Sequence, residues 1–223
     1  MSKLARLTES LLTLVLVVCA ITVTVVVVRR ETSPPPNRGA GPQFKLVTDW
    51  QRFAKGNMIL GPLAAPISVV VFSDYQCPFC KQLDRNLDSL RQRMPDSIRI
   101  VYRSFPLSAI HHESFTAAIA AECAAAQGQF AAMHTALFTN ADSLGRIPWR
   151  RIADRAAVTD VASFTACLKS HSKDALIRAD SADGIALGVA GTPTFMINGV
   201  KGSGALSTIL LDSIARATLR KDD

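Results

Sequence analysis

Two cysteines, Cys77 and Cys80, stand two residues apart, and their spacing allows redox chemistry. The short, β-branched apolar run at residues 67–72 predicts a buried strand just before them. After them, leucines recur at three- and four-residue spacing, as on one face of a helix. Cys77 is therefore expected at a helix N-terminus, where free N–H groups and the helix dipole stabilise a thiolate. With Cys80 about one turn further on, the pattern predicts a reversible dithiol/disulfide couple.

The residues around the pair fit this interpretation. Pro78 suits the first helical turn, and Lys81 brings a positive charge close to the cysteines. A zinc half-site and an inert disulfide are the alternatives. Zinc usually needs a second ligand pair, none follows, and the adjacent His111 and His112 rarely point at one ion. The order strand, CxxC, helix favours redox chemistry, and no metal or other cofactor is expected.

The histidines show no partner pattern in the sequence. We expect them at surface or helix-capping positions and assign them no role: His111, His112, His134 and His171.

A stretch without any charge runs from Ser10 to Val28 near the N-terminus. As a helix it is about 28 Å long, close to the bilayer's hydrocarbon core of roughly 30 Å. A cleaved signal peptide and a buried core helix are the alternatives. Arg29 and Arg30 close the run, which argues against a core helix, and the cleavage site near Cys19 is weak. We expect an uncleaved signal anchor within residues 1–30.

Composition then divides the rest of the chain. Residues 31–43 are rich in proline and glycine and almost devoid of apolar side chains, which predicts an extended linker. Residues 44–223 are long enough for one domain with a substantial core. Its predicted elements are a strand at 97–104, helices within 114–187, a hairpin at 194–200 with its turn at Asn198-Gly199, and a helix at 206–219.

The chain has 223 residues and a formal net charge of +7. Part of that excess comes from the basic residues that flank the apolar N-terminal stretch. No cluster of lysine and arginine is interleaved with aromatic residues, so nucleic acid is not expected as a partner.

A second motif, Gly-Thr-Pro-Thr-Phe at residues 191–195, opens the late hairpin strand. A proline at the start of a strand is ordinary, and only about 5–6% of X–Pro bonds are cis. After a strand–CxxC–helix unit, however, it resembles the cis-proline loop of thioredoxin-fold proteins. The segments 72–80, 103–107 and 191–195 together resemble DsbA-like thiol-disulfide oxidoreductases, over roughly Gly56 to the C-terminus.

The resemblance implies a fold and roles for single residues. The fold is α/β: a thioredoxin fold with a long helical insertion, about residues 108–188, between the third strand and the cis-proline strand, preceded by the transmembrane helix. Cys77 is then the exposed nucleophile and Cys80 the resolving thiol. The other implied roles are redox tuning by Pro78 and Phe79 and binding of the substrate backbone by Thr192 and Pro193.

One position departs from the family pattern. Several relatives have an acidic residue six positions before the first cysteine, where this chain has Val71. Asp74 lies three positions before that cysteine instead. Proton transfer to and from Cys80 therefore stays unassigned.

Two further cysteines, Cys123 and Cys167, fall in the predicted insertion. They are either two small buried hydrophobic side chains or a disulfide. Four domain cysteines allow three connectivities, and pairing within the CxxC motif leaves 123–167. Outside the cytoplasm we expect this second pair to form a structural disulfide.

The predicted function is a single-pass membrane protein whose catalytic domain lies on the extracytoplasmic side, because disulfides persist there. The resemblance favours a monomeric thiol oxidase that donates a disulfide to reduced exported proteins and is reoxidised by a membrane quinone-linked thiol oxidase. A reductase or isomerase of the same fold is the first alternative. Isomerases of this fold usually carry a dimerisation module, for which residues 44–56 are too few. A redox-inactive, chaperone-like peptide-binding module is the second.

Overall fold

A computed structural model of the chain describes residues 3–32 and 44–220 and divides the chain into two units, residues 1–41 and 42–223. The first unit contains helix α1, Lys3–Thr32. Its segment Leu12–Arg29 has a mean hydropathy of 2.6 and is long and apolar enough to cross a membrane. The side chains of this segment are exposed, whereas a helix in the core of a soluble domain is mostly buried. Most of the predicted linker, residues 33–43, lies outside the described residues.

Two threonines within the apolar segment have their hydroxyls satisfied by the helix itself. The hydroxyls of Thr22 and Thr24 donate hydrogen bonds to the backbone carbonyls of Cys19 and Ala20. A hydroxyl satisfied within its own helix costs little in a hydrocarbon environment. These threonines are therefore compatible with a membrane span.

The second unit is built on a six-stranded sheet with the strand order β1-β6-β5-β3-β4-β2. Strands β3 and β4 pair in parallel, and all other pairs are antiparallel. The predicted strand after the CxxC helix and the predicted late hairpin are both present. The strands are β1, Lys45–Leu46; β2, Ile59–Leu60; β3, Ile67–Ser73; β4, Ile98–Ser104; β5, Thr194–Ile197; and β6, Val200–Ser203.

Five helices, α3 to α7, lie between β4 and β5 and confirm the predicted helical insertion into a thioredoxin-type sheet. The helices of this unit are α2, Pro78–Arg93; α3, Ser114–Ala125; α4, Phe130–Thr139; α5, Trp149–Arg155; α6, Val161–Ser170; α7, Asp174–Ala186; and α8, Thr208–Leu219. Short 3-10 turns occur at Trp50–Phe53 and Ala141–Ser143.

The central strand β3 is buried on both faces, which explains its almost unbroken run of apolar residues. Because side chains alternate along a strand, Val69 and Val71 enter the larger core, which also contains the apolar faces of α2 and α3. Val70 and Phe72 enter the smaller core on the other face of the sheet. This double burial holds the end of β3, and hence the cysteine motif, in a rigid frame.

Helix α7 covers the smaller core and is fixed to β4 by an ion-pair cluster. The buried Arg103 guanidinium donates to Asp180 and Asp183 of α7, each at 2.6 Å. Gly184 permits the close approach, because a Cβ there would lie 2.7 Å from the Phe105 ring. The chain that follows β4 is thus held firmly beside the cysteine motif.

Candidate active site

The CPFC motif lies where β3 passes into α2. The turn between them is closed by the Cys77 N–H, which donates to the Asp74 carbonyl at 3.1 Å. Cys77 is the N-cap residue of α2, with an extended backbone, and Pro78 is the first helical residue. The Cys77 carbonyl accepts the first hydrogen bond of the helix, from Lys81 N–H at 3.1 Å. Cys77 is therefore at the helix N-terminus that the sequence predicts for it.

The two thiols of the motif are free, and their environments differ. Both are buried, with 5% of Cys77 and 2% of Cys80 exposed, so the expectation that Cys77 is exposed is wrong; its side chain is covered by the neighbouring cis-proline loop. A hydrogen bond from the Cys80 thiol lowers the pKa of Cys77 to about 5, helped by Thr192 and by the N–H groups of Cys80 and Phe79, although burial opposes the shift. Burial, followed by the hydrogen bond to Cys77, raises the pKa of Cys80. At neutral pH Cys77 is a thiolate and Cys80 stays protonated.

The loop before β5 lies directly against this pair. The Thr192–Pro193 peptide bond is cis, and the Thr192 carbonyl oxygen is 3.4 Å from Cys77 Sγ. The loop is fixed at both ends: Thr194 Oγ1 donates to the Gly191 carbonyl at 2.8 Å, and Gly204 N–H donates to the Pro193 carbonyl at 2.9 Å. The two sequence motifs, more than a hundred residues apart, therefore meet at one sulfur.

A surface suited to peptides adjoins the loop. A cavity of about 520 Å³ is lined by residues 188, 190–194 and 201–204, together with Phe44 and Lys45. On the cysteine motif itself, Phe79 is 60% exposed, and Ile110 of the loop after β4 is also exposed. The exposed ring of Phe79, two residues from Cys77, is suited to contact an unfolded chain.

Lys81 stays a prediction as a redox-tuning residue. Its side chain lines a second cavity, of about 360 Å³, together with Asp84, Tyr102 and His134. It is not among the groups that shift the pKa of Cys77.

Asp74 and His111 are brought to the site by the tertiary structure, and the sequence did not reveal them. The buried Asp74 carboxylate accepts from Gln76 N–H at 2.7 Å, from Leu107 N–H at 2.8 Å and from His111 Nδ1 at 2.9 Å. The backbone N–H of Asp74 donates to Cys80 Sγ at 3.4 Å. The expectation of a surface or capping role is therefore wrong for His111.

The same expectation is wrong for His134, which is 2% exposed. Its ring joins the hydroxyl of Tyr75 at 3.0 Å to a carboxylate oxygen of Asp84 at 2.8 Å, and Tyr102 donates to the same oxygen at 2.6 Å. Burial alone would raise the pKa of Asp84, but the bonds with His134 and Tyr102 outweigh it and lower the pKa. This network ties the CxxC helix to α4 of the insertion.

Cys123 and Cys167 form a disulfide, the pairing predicted for them. It joins α3 to α6 across a sequence separation of 44 residues, so it closes the insertion on itself. Among the described residues, no group of three or more histidine, cysteine or acidic side chains could hold a metal ion.

Comparison with known proteins agrees with this geometry. The family model described as thioredoxin matches residues 54–214, which is most of the chain and contains both cysteine pairs and the cis-proline loop. This chain belongs to the thioredoxin family.

Solved structures of thioredoxin-like and thiol-disulfide exchange proteins share the fold of this chain. A thioredoxin-like oxidoreductase from Silicibacter pomeroyi DSS-3 is 28% identical, with a TM-score of 0.66 over 78% of this chain and 99% of that one. BdbD from Bacillus subtilis (19% identical, TM-score 0.64, 73% and 92% covered) shares the fold. So does the thiol-disulfide exchange protein α-DsbA2 from Wolbachia pipientis (19% identical, TM-score 0.59, 71% and 85% covered). The predicted resemblance is confirmed.

The curated proteins that this chain resembles are described as Na(+)/H(+) antiporters. The Na(+)/H(+) antiporter NhaA 1 of Mycobacterium sp. strain KMS is 36% identical over 148 residues, which are 66% of this chain and 24% of the antiporter. NhaA 3 of Salinispora tropica is 34% identical over 171 residues, 74% of this chain and 26% of the antiporter. The chain thus spans about a quarter of the length of the curated relatives it matches.

Proposed function

We propose that this thioredoxin-family protein is a membrane-anchored, extracytoplasmic thiol oxidase that donates the Cys77–Cys80 disulfide to exported proteins. The observation that carries the proposal is the opposite shift of the two thiols, with the pKa of Cys77 lowered to about 5 and that of Cys80 raised. A stabilised thiolate favours the reduced enzyme, and an enzyme whose reduced form is favoured is a strong oxidant in its disulfide form.

The reaction consists of two thiol-disulfide exchanges. A substrate thiolate attacks Cys77 Sγ of the oxidised enzyme, the bond to Cys80 breaks, and its electron pair leaves with the Cys80 sulfur, which takes up a proton. A second substrate thiolate then attacks the substrate sulfur of the mixed disulfide, and Cys77 leaves as a thiolate. The substrate loses two electrons, and the enzyme disulfide gains them. The low pKa of Cys77 makes it a good leaving group in the second step.

Substrate binding is assigned to the cis-proline loop. Thr192 and Pro193 line the cavity of about 520 Å³ and lie beside Cys77 Sγ, so an extended peptide held there presents its cysteine to that sulfur. The exposed ring of Phe79 extends the apolar surface on the other side of the nucleophile. Recognition through the backbone and through apolar contacts suits a broad range of unfolded chains.

The N-terminal helix and the second disulfide support the proposed location. Helix α1 is apolar enough to span a membrane, and the Cys123–Cys167 bond is of the kind that persists outside the cytoplasm. An anchored, monomeric domain stays next to a membrane quinone-linked thiol oxidase, the class of partner that would regenerate Cys77–Cys80. Mass spectrometry of the membrane fraction should find an intact N-terminus; a mature start near Ile21 would reject the anchor.

The reduction potential tests the proposed direction of electron flow. For an oxidase, equilibration of the domain with glutathione buffers should give a value nearer to about −120 mV than to thioredoxin's roughly −270 mV. A value near that of thioredoxin would support the reductase or isomerase alternative instead. A Cys77–Cys80 disulfide that does not exchange with glutathione would support the peptide-binding alternative.

The curated relatives favour a second, narrower candidate, in which the substrate is a membrane transport protein. The supporting observation is that a segment of Na(+)/H(+) antiporters is 36% identical to this domain. A Cys80→Ser variant, expressed with its anchor, should capture substrates as mixed disulfides that mass spectrometry can identify. Captured exported soluble proteins would support the main proposal, and capture restricted to a transporter would support this one.

A further inference from the structure

The Asp74 residue connects three parts of the site, and none of the roles assigned so far uses it. Its backbone contacts both cysteines, since its carbonyl accepts from Cys77 N–H and its N–H donates to Cys80 Sγ. Its side chain is completely buried. A buried carboxylate is expensive unless its lone pairs are satisfied, so its hydrogen-bond partners show what the structure maintains there.

Those partners come from two different loops. Gln76 N–H, in the turn that carries the cysteines, donates to one carboxylate oxygen. Leu107 N–H and His111 Nδ1, in the loop after β4, donate to the other. A second hydrogen bond joins the same two loops: the Gln76 side-chain oxygen accepts from Glu113 N–H at 2.7 Å. The carboxylate therefore clamps the cysteine turn against the loop after β4.

The clamp determines the direction of the Asp74 N–H. With the side chain held on one side by Leu107 and His111, the peptide plane before Asp74 cannot rotate without breaking charge-assisted hydrogen bonds. Its N–H donates to the sulfur of Cys80, which is 2% exposed, lies in the larger core and is also hydrogen-bonded to Cys77 and to the Ser73 side chain. In the first exchange step that sulfur receives an electron pair. A donor that is already aimed at it stabilises the developing charge with no reorganisation.

We propose that Asp74 is a positioning residue for thiol-disulfide exchange: its carboxylate, held by His111 and Leu107, keeps its own backbone N–H directed at Cys80 Sγ, where negative charge develops when the Cys77–Cys80 bond breaks or forms. The inference rests on the exchange chemistry proposed above. Asp74 thereby contributes to charge stabilisation at Cys80, the thiol for which the sequence left proton transfer unassigned.

In the reaction with oxidised glutathione, Cys77 and Cys80 react in two successive steps whose rates can be measured separately. The Cys77 thiolate first attacks glutathione disulfide and releases one glutathione thiolate. Cys80 then loses its proton to water, attacks Cys77 Sγ and releases the second glutathione thiolate. Quenching the reaction with acid and weighing the species by mass spectrometry gives both rate constants at pH 7.

Asp74→Asn places an amide where the carboxylate now accepts three hydrogen bonds, so at least one donor loses its acceptor. We expect the second rate constant to fall about ten-fold, the order of one hydrogen bond to a charged group, while the first stays unchanged. The reverse reaction should slow equally, leaving the reduction potential where it was. A role in folding alone would lower stability without this selective effect on the second step.

The His111 side chain offers an independent variant if Asp74→Asn does not fold. His111→Phe removes the donor to Asp74, whereas His111→Gln keeps an N–H that can reach it. The second step should slow in the Phe variant and recover in the Gln variant. Matched controls are His112→Gln and Asp96→Asn, which change exposed side chains.

The outcomes separate this inference from the proposed function. Folded Asp74→Asn with an unchanged second step would overturn it, as would equal slowing in His111→Phe and His111→Gln. A low reduction potential for the wild type would reject the oxidase and leave the role of Asp74 intact. A wild type that does not exchange at all would reject both.

Discussion

The two cysteine pairs of this domain have the same chemistry available and use it differently. Cys77 and Cys80 lie on one helix turn and are free thiols, whereas Cys123 and Cys167 join two helices and are bonded. Cys77 caps the start of α2, where N–H groups have no helical acceptor and help to stabilise its thiolate. Cys123 lies inside α3, where the backbone groups are already paired.

The difference shows that the backbone around a cysteine determines whether its disulfide is exchanged or kept. A sulfur with a low pKa leaves readily, so a disulfide that contains it is easily attacked and easily re-formed. The Cys123–Cys167 bond has one buried sulfur in the larger core and no such donor set in the described structure. It therefore acts as a cross-link of the insertion, and four substitutions test this contrast.

The largest expected effect comes from the nucleophile. Cys77→Ser should abolish oxidation of a reduced peptide, because Cys77 is the proposed nucleophile and its sulfur lies beside the cis-proline loop. Non-reducing gels and a fluorescent dithiol peptide measure this directly. Cys19→Ser, in the apolar N-terminal helix, is the matched control and should retain activity. Turnover by Cys77→Ser would contradict the assignment of the nucleophile.

The second pair should matter for stability alone. Replacing Cys123 and Cys167 together by alanine should lower the free energy of unfolding by up to about 4 kcal/mol, the chain-entropy value for a loop of this length. Urea unfolding measures the loss, and peptide exchange at 25 °C should stay near wild type. A folded double variant that no longer exchanges would show that the two pairs are coupled.

The pH dependence should sharpen the contrast within the first pair. Iodoacetamide labelling of the reduced protein should reach half its maximal rate near pH 5 at Cys77, and Cys80 should stay unreactive through neutral pH. Because folding lowers the pKa of Cys77, ionisation of this thiol stabilises the folded, reduced protein. The stabilisation is complete above a pH of about 8.5, the pKa of a thiol in the unfolded chain, and it is lost as the pH falls through 5.

Unfolding measurements give the control for that prediction. The stability difference between reduced wild type and Cys77→Ser should narrow steadily as the pH falls from about 8.5 to about 5. Faster labelling of Cys80 than of Cys77 at pH 6 would reverse the roles of the two thiols.

The smallest effect is expected at Lys81. The Lys81 side chain is not among the groups that shift the pKa of Cys77. Lys81→Gln should therefore leave the pH of half-maximal Cys77 labelling within about 0.5 pH units of the wild-type value. Arg85→Gln, which lines the same cavity, is the control. A larger rise with Lys81→Gln alone would restore the redox-tuning role that the sequence predicts for Lys81.

Local patterns in the sequence determined the main features of the domain. The β-branched run before Cys77 indicates a strand because residues 67–73 are short, almost continuously apolar and buried on both faces of the sheet. The leucine spacing after it indicates a helix because the buried side chains of residues 78–93 recur with a period of about 3.6. The apolar N-terminal span and the Cys123–Cys167 pairing are also found from composition and cysteine count, and the family resemblance implies the helical insertion.

Only the tertiary structure decided the polar contacts that support the site. Asp74 meets His111 across 37 residues, and His134 meets Asp84 across 50, in each case from a different element. Hydrophobic periodicity reports where apolar residues are buried, but it carries no information about a single aspartate or histidine. A buried, hydrogen-bonded aspartate or histidine therefore cannot be told from an exposed one in the sequence. Their pairing follows from the helical insertion folding back beside α2, which brings distant donors to acceptors that burial would otherwise leave unsatisfied.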